Sequence, residues 1–243
     1  MCTREMTLGE EIISLTGKGV DIPTVERMYR KYIAIISDAD TKKVTEELYH
    51  VDALFPTIEA IFGKVYSILP DDIAIGDQIE IPLGDLGTFT ATVQMVKDDK
   101  VLFLFDDYIV KRPMNENGSN EGGYEKSDLK KWIENDLFKM FPKALRKHMT
   151  GLTIPTLGEI CGWGDNWDKE HIEPDSDEQL PLMKQRRNRV AYYNNECSSG
   201  WLRNAMKKEF SSASFAGVNR NGYANYYDAS YSGGVRPEFW LVR

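Results

Sequence analysis

The sequence predicts an α+β fold, because strand patterns stand near both ends of residues 71–243 and helical patterns lie between them. Residues 88–95 alternate between apolar and polar side chains, and a short turn separates them from the apolar run at 101–105. Two short apolar or aromatic runs also flank Asn221-Gly222, a dipeptide that favours a tight hairpin turn. Hairpins at both ends with helices between them define the predicted class.

Residues 1–70 form a predicted helical N-terminal segment, and residues 71–243 form a second domain. Pro23 suits the first turn of a helix, and apolar side chains follow it at helical spacing, among them Val25, Met28 and Tyr32. Such stripes indicate core packing, or else a docking or homo-oligomerisation element outside the second domain. The sequence leaves both interpretations open.

The second domain is expected to begin with strands and to continue with helices. Residues 78–81 alternate in polarity, whereas residues 101–105 are apolar on both faces, which predicts a central strand. Ser127 is suited to cap a helix, and Asp128 favours the first turn of that helix. Pro142 begins another predicted helix, which ends near His148.

Composition and cysteine usage are typical of a globular protein in a reducing compartment. Hydrophobic residues make up 42% of the chain and charged residues 28%. No apolar run approaches the roughly 20 residues that a membrane-spanning helix needs, and the first residues lack a signal-peptide core. Cys2, Cys161 and Cys197 are too few and too far apart for a disulfide framework or a zinc site. We therefore expect no membrane span and a location in the cytoplasm.

Charge is unevenly distributed along the chain. The net charge of -8 argues against nucleic acid as a partner. From Gln179 onward, ten Lys and Arg face four Asp and Glu, whereas residues 165–178 hold seven acids and one Lys. The acidic loop and the basic C-terminal part either pair internally or leave a positive binding face. The Arg-rich run at residues 186–189 leads into a predicted strand and indicates solvated charges.

The chain from residue 201 onward resembles a known family. It contains Trp201-Leu202-Arg203, a Ser/Ala run, the Asn-Gly hairpin and a Gly-Val-Arg-Pro motif at residues 234–237. Together with Arg-Pro-Met-Asn at 112–115 and Gly-Gly-Tyr at 122–124, these motifs resemble an uncharacterised bacterial and phage domain family. That family is related to C-type-lectin-like and formylglycine-generating-enzyme-like folds, and the resemblance covers residues 79–243. It implies a C-type-lectin-like domain. Within the Gly-Val-Arg-Pro motif, we expect Arg236 to make a structural ion pair or backbone contacts.

The resemblance does not carry over the known catalytic residues of these folds. Formylglycine-generating enzymes hold copper with a pair of C-terminal cysteines, whereas this chain offers Cys197 alone there. The histidine cluster of the iron-dependent relatives is also missing, so we expect no enzyme activity and no cofactor. The alternative is a metal-dependent enzyme of the same fold that uses Cys161, His171, Asp165 and Asp168. Calcium needs about six to eight oxygen ligands, so this acidic loop is better interpreted as a tight turn.

The predicted function is non-catalytic binding by the C-terminal hairpin region. Tyr, Asn and Ser side chains give large contact area and adaptable hydrogen bonding, as in antibody paratopes. The predicted ligand-binding residues are Trp201, Arg203, Asn219, Arg220, Tyr223, Asn225, Tyr226, Asp228 and Tyr231. The resemblance extends to the variable proteins of diversity-generating retroelements, which implies a protein or glycan ligand on a cell surface. It also implies a phage virion as the alternative to a cytoplasmic location. The other interpretation is a polar hairpin without a ligand.

Overall fold

The computed structural model describes Leu69 and residues 73–242. The predicted N-terminal helices at residues 1–70 therefore lie, apart from Leu69, outside the described residues. The strands in the described part are β1 (Gln78–Pro82), β2 (Thr88–Val96), β3 (Lys100–Phe105), β4 (Val110–Arg112), β5 (Met149–Thr153), β6 (Ala191–Tyr193), β7 (Glu196–Ser198), β8 (Gly200–Ala205), β9 (Ser214–Val218), β10 (Ala224–Asp228), β11 (Gly233–Val235) and β12 (Glu238–Val242). The α-helices are α1 (Asp128–Trp132), α2 (Phe138–Met140), α3 (Lys143–Arg146), α4 (Leu157–Ile160) and α5 (Asn166–His171).

Ten of these strands form two five-stranded sheets. The order is β1-β2-β3-β12-β5 in the first sheet and β10-β9-β8-β11-β4 in the second, while β6 pairs with β7. Neighbouring strands run antiparallel except β8 and β11, which are parallel. The sheets and short helices confirm the predicted α+β class. None of the described helices is long and apolar enough to cross a membrane.

The last two strands connect the sheets. β11 lies between β8 and β4, and β12 lies between β3 and β5. The buried Arg236 stands between these strands, where its Nε donates to the carbonyl of Phe105 at 2.6 Å and its guanidinium donates to the carbonyl of Asn188 at 3.3 Å. The expectation that Arg236 makes structural contacts is confirmed. The prediction that residues 101–105 form a central strand is also confirmed, because β3 pairs with β2 and β12.

Aromatic packing fills the core beside the first sheet. Phe103 stacks on Phe239 with ring centroids 5.5 Å apart, and Phe141 meets Phe239 edge-on at 5.4 Å. The ring centroid of Phe105 lies 6.0 Å from those of both Phe141 and Phe239. All four rings are buried, and each such side chain contributes roughly 1.5–3 kcal/mol by leaving water. This cluster holds β3, β12 and the segment after α2 together.

The predicted helix start at Ser127 is confirmed. The Ser127 hydroxyl accepts a hydrogen bond from the backbone N–H of Lys130 at 3.0 Å, which caps α1. A π-helical turn, Ile133–Leu137, joins α1 to α2 and buries its apolar ends. Pro142 caps α3 as expected, but α3 ends at Arg146, two residues before the predicted end near His148.

Candidate ligand-binding site

The β9–β10 hairpin forms around the Asn-Gly turn as predicted. The Asn219 side-chain oxygen accepts hydrogen bonds from the backbone N–H groups of Asn221 at 2.9 Å and Tyr223 at 3.1 Å. Gly222 has a φ of 77°, a conformation that favours glycine. The side chain of Asn219 therefore shapes the turn and is not free to contact a ligand through that oxygen.

Two tyrosines of the hairpin, three positions apart in the sequence, are exposed to solvent. Tyr223 is 52% exposed and Tyr226 is 40% exposed. The Arg186 guanidinium lies over the ring of Tyr223, 4.2 Å from its centroid. Tyr231 is also exposed, but its ring stacks on Tyr227 at 5.0 Å and belongs to a different group.

Tyr226 belongs to an aromatic cluster made with Trp167, His171 and Phe210. Trp167 stacks on His171 at 4.5 Å and on Tyr226 at 5.7 Å between ring centroids. Phe210 meets the other three rings edge-on at 4.7–5.5 Å. Trp167, Phe210 and Tyr226 all keep more than a third of their surface exposed. An exposed aromatic group of this size is typical of a contact surface.

A groove of about 420 Å³ separates β10 from the loop before α5. We call it the hairpin groove. Aromatic side chains on its walls come from Trp167, Tyr223 and Tyr226, and polar groups come from Asp165, Asp168, Arg189 and Asn225. Aromatic walls with a few polar groups are typical of small binding sites.

Asp168 is the buried acid of the hairpin groove. It is only 7% exposed, and its carboxylate has no hydrogen-bond or ion-pair partner among the described residues. Burial raises the pKa of Asp168, and the neighbouring Asp165 raises it further. Asp165 has a structural role, since its Oδ1 accepts from the N–H of Trp167 at 2.8 Å and caps α5. Asp165 to Asp168 thus form the capped start of α5 and not the tight turn that the sequence predicts.

Cys161 and His171 do not form a nucleophile and base pair in the described structure. Burial raises the pKa of the Cys161 thiol to about 11, with Arg189 lowering it in part, so the thiolate is disfavoured at neutral pH. The His171 ring stacks on Trp167, and its Nδ1 lies 2.9 Å from the carbonyl of that residue. Among the described residues, no group of three or more His, Cys, Asp or Glu side chains is placed to hold a metal ion.

Trp201 lies inside the protein and not on the hairpin surface. It is 1% exposed, and its indole N–H donates to the carbonyl of Arg112 at 2.8 Å. Its ring meets Phe215, Tyr227 and Tyr231 edge-on. Trp201 therefore supports the sheet beneath the hairpin.

Arg203 lies in a second groove, of about 460 Å³, away from the hairpin. Its guanidinium donates to Glu159 at 2.9 Å and to Glu238 at 3.2 Å, and Asp177 lies 3.9 Å away. We call these four side chains the Arg203 cluster. Glu238 is buried, and its Oε2 has no partner among the described residues. Burial raises the pKa of Glu238 well above its usual range, Glu159 adds to the rise, and Arg203 opposes it.

The other predicted site residues of the hairpin are exposed or partly exposed. Arg220 is exposed at the turn. Asn225 donates to the hydroxyl of Tyr227 at 3.3 Å. Asp228 accepts from the N–H and hydroxyl of Ser230 at 2.9 and 2.6 Å, and these hydrogen bonds lower the pKa of Asp228.

The comparisons with known proteins name no activity. A family model described as a domain of unknown function (DUF6273) matches residues 98–173. That match covers β3 to α5 and leaves the hairpin outside. No curated protein and no solved structure gives a significant match to the chain.

Proposed function

We propose that this protein binds a ligand without catalysis and that the ligand contacts the hairpin groove and the adjoining aromatic cluster. The exposure of Tyr223, Tyr226 and Trp167 beside one groove carries this proposal. Leaving large aromatic side chains in water forgoes the free energy of burying them, and binding recovers it. The proposed ligand is a protein or a glycan on a cell surface.

The proposal includes a C-type-lectin-like fold, a phage or retroelement association and sequence variability in the hairpin. The motifs that resemble this family support the fold. The exposure of Arg220, Tyr223, Tyr226, Asp228 and Tyr231 supports variability, because exposed positions tolerate substitution. A near-copy of the hairpin codons beside a reverse transcriptase gene would be direct support for diversification.

The alternative is a metal-dependent enzyme of the same fold. The raised thiol pKa of Cys161 and the stacked ring of His171 favour binding over this alternative. Metal analysis of the purified protein distinguishes the two proposals. Stoichiometric copper, iron or calcium would favour the enzyme.

The test of the binding proposal uses an array of glycans and purified cell-surface proteins. The double variant Tyr223→Ala/Tyr226→Ala is compared with Tyr192→Ala, whose side chain is 45% exposed on the small β6–β7 sheet. Each aromatic anchor typically costs about 2 kcal/mol when truncated, so the double variant should lose its ligand. Tyr192→Ala should bind as the parent protein does. Equal loss in both variants, or in neither, would contradict the proposal.

A further inference from the structure

An unpaired carboxyl group lies at the hairpin groove. Asp168 is 7% exposed, lines the groove and has no partner among the described residues. Buried carboxylates in folded proteins are normally paired with a cation or held by several hydrogen bonds, because an isolated buried charge costs free energy. An unpaired buried acid that lines an open groove therefore points to a partner supplied from outside.

Among the described residues, the two arginines beside the groove are engaged elsewhere. Arg189 lines the same groove, but its Nε donates to the carbonyl of Met183 at 2.7 Å, and its charge lowers the pKa of the Cys161 thiol. The Arg186 guanidinium lies over the ring of Tyr223. The pKa of Asp168 is raised by burial and by Asp165, and no neighbouring cation lowers it.

The walls of the groove suit an apolar stem that ends in a charge. Trp167, Tyr223 and Tyr226 supply aromatic surface, while Asp168 and the exposed Asp165 supply negative charge. Lys and Arg side chains lay their methylene stems along apolar surface and direct the charged end to an acid. A sugar ring has no comparable stem.

We propose that the hairpin groove binds a Lys or Arg side chain of a protein partner, whose ammonium or guanidinium pairs with the carboxylate of Asp168. This inference rests on the proposed binding function and assigns its ligand to the protein class. The bound side chain packs its stem along the aromatic wall that Trp167, Tyr223 and Tyr226 form in the groove.

The test uses small probes in place of the partner. Nα-acetyl-lysine amide and Nα-acetyl-arginine amide are titrated against the full chain, with uncharged Nα-acetyl-norleucine amide as the matched neutral probe. Glucosamine and glucose form a second pair that tests an amino sugar as the source of the cation. Binding is followed by the indole N–H signal of Trp167 in two-dimensional NMR spectra, assigned with Trp167→Phe.

We expect saturable shifts with the lysine or arginine probe and none with the norleucine probe. Asp168→Asn keeps the shape of the side chain and should weaken binding about tenfold or more, because a charge-assisted hydrogen bond is lost. Asp165→Asn is the matched control, since Asn also caps helices, and it should weaken binding by less than about threefold.

Equal binding of charged and neutral probes, unchanged binding by Asp168→Asn, or no shift at all would overturn the inference. Tighter binding of glucosamine than of both amino-acid probes would overturn the assignment to a protein side chain. Failure of the proposed function is distinguishable, because it appears on the array as binding that survives Tyr223→Ala/Tyr226→Ala. If the array ligand is lost in that variant and the probes do not bind, the inference is overturned and the proposed function is retained.

Discussion

Replacing Glu238 by Gln should make the free energy of unfolding less dependent on pH. The Glu238 carboxylate is buried in the Arg203 cluster, with Oε1 3.2 Å from the guanidinium of Arg203 and Oε2 unpartnered among the described residues. Burial raises its pKa well above the ordinary value of 4.5, and Glu159 raises it further. Gln has a similar shape and cannot ionise.

The raised pKa of Glu238 fixes the direction in which the free energy of unfolding changes with pH. In the unfolded chain Glu238 loses its proton near pH 4.5, whereas in the folded protein it keeps the proton to higher pH. The stability that this group contributes is full below pH 4.5 and is lost as pH rises through the folded pKa. The slope reaches at most about 1.4 kcal/mol per pH unit for one proton. Glu238→Gln should therefore gain stability relative to the parent protein as pH rises above 4.5.

Urea denaturation followed by tryptophan fluorescence at several pH values between 4.5 and 8 measures this difference. Asp128→Asn is the control, because a hydrogen bond from Lys131 lowers the pKa of Asp128 below 3.8. The stability from Asp128 is present above pH 3.8 and is lost only as pH falls below it. The difference in the free energy of unfolding between Asp128→Asn and the parent protein should therefore stay constant between pH 5 and 8. If the free energy of unfolding of Glu238→Gln differed from that of the parent protein by a constant amount over the same range, the reasoning would be refuted.

Three further substitutions test the packing of the fold. Arg236→Ala removes the hydrogen bond to the carbonyl of Phe105 and leaves that oxygen unpaired, so thermal denaturation should show a loss of about 2–4 kcal/mol. Gly200→Ala places a methyl group against the ring of Tyr108, and chemical denaturation should show a loss of about 1–3 kcal/mol or more; unchanged stability would contradict the close packing. Asn120→Ala removes three side-chain hydrogen bonds to backbone carbonyls of residues 206–214, so backbone hydrogen exchange should become faster in that segment. Unchanged exchange would show that these hydrogen bonds do not hold the segment.

Local signals in the sequence were sufficient for several elements. The Asn-Gly turn and the cap at Ser127 depend on residues within a few positions of each other, so the pattern alone predicted them. The apolar run of β3 predicted a central strand because both of its faces are buried. In each case the physical cause is contained in the segment itself.

Contacts between distant segments were not predictable in the same way. Arg203 lies 44 positions from Glu159 and 35 from Glu238, and no local pattern marks these three as neighbours. The packing of Phe210 beside Trp167 likewise depends on how the loops fold over the second sheet. The sequence predicts Trp201 as a ligand-binding residue, whereas strand β8 directs its ring into the interior.

The place of β10 at the end of the second sheet has a consequence for evolution. β10 pairs only with β9 among the described strands, whereas β8 and β11 are enclosed on both sides. Substitutions at exposed positions usually change the free energy of unfolding by less than about 0.5 kcal/mol. Selection acting on the outward side chains of β10 is therefore nearly independent of selection for folding. In the turn before β10, Asn219 and Gly222 are constrained, because the turn itself needs them.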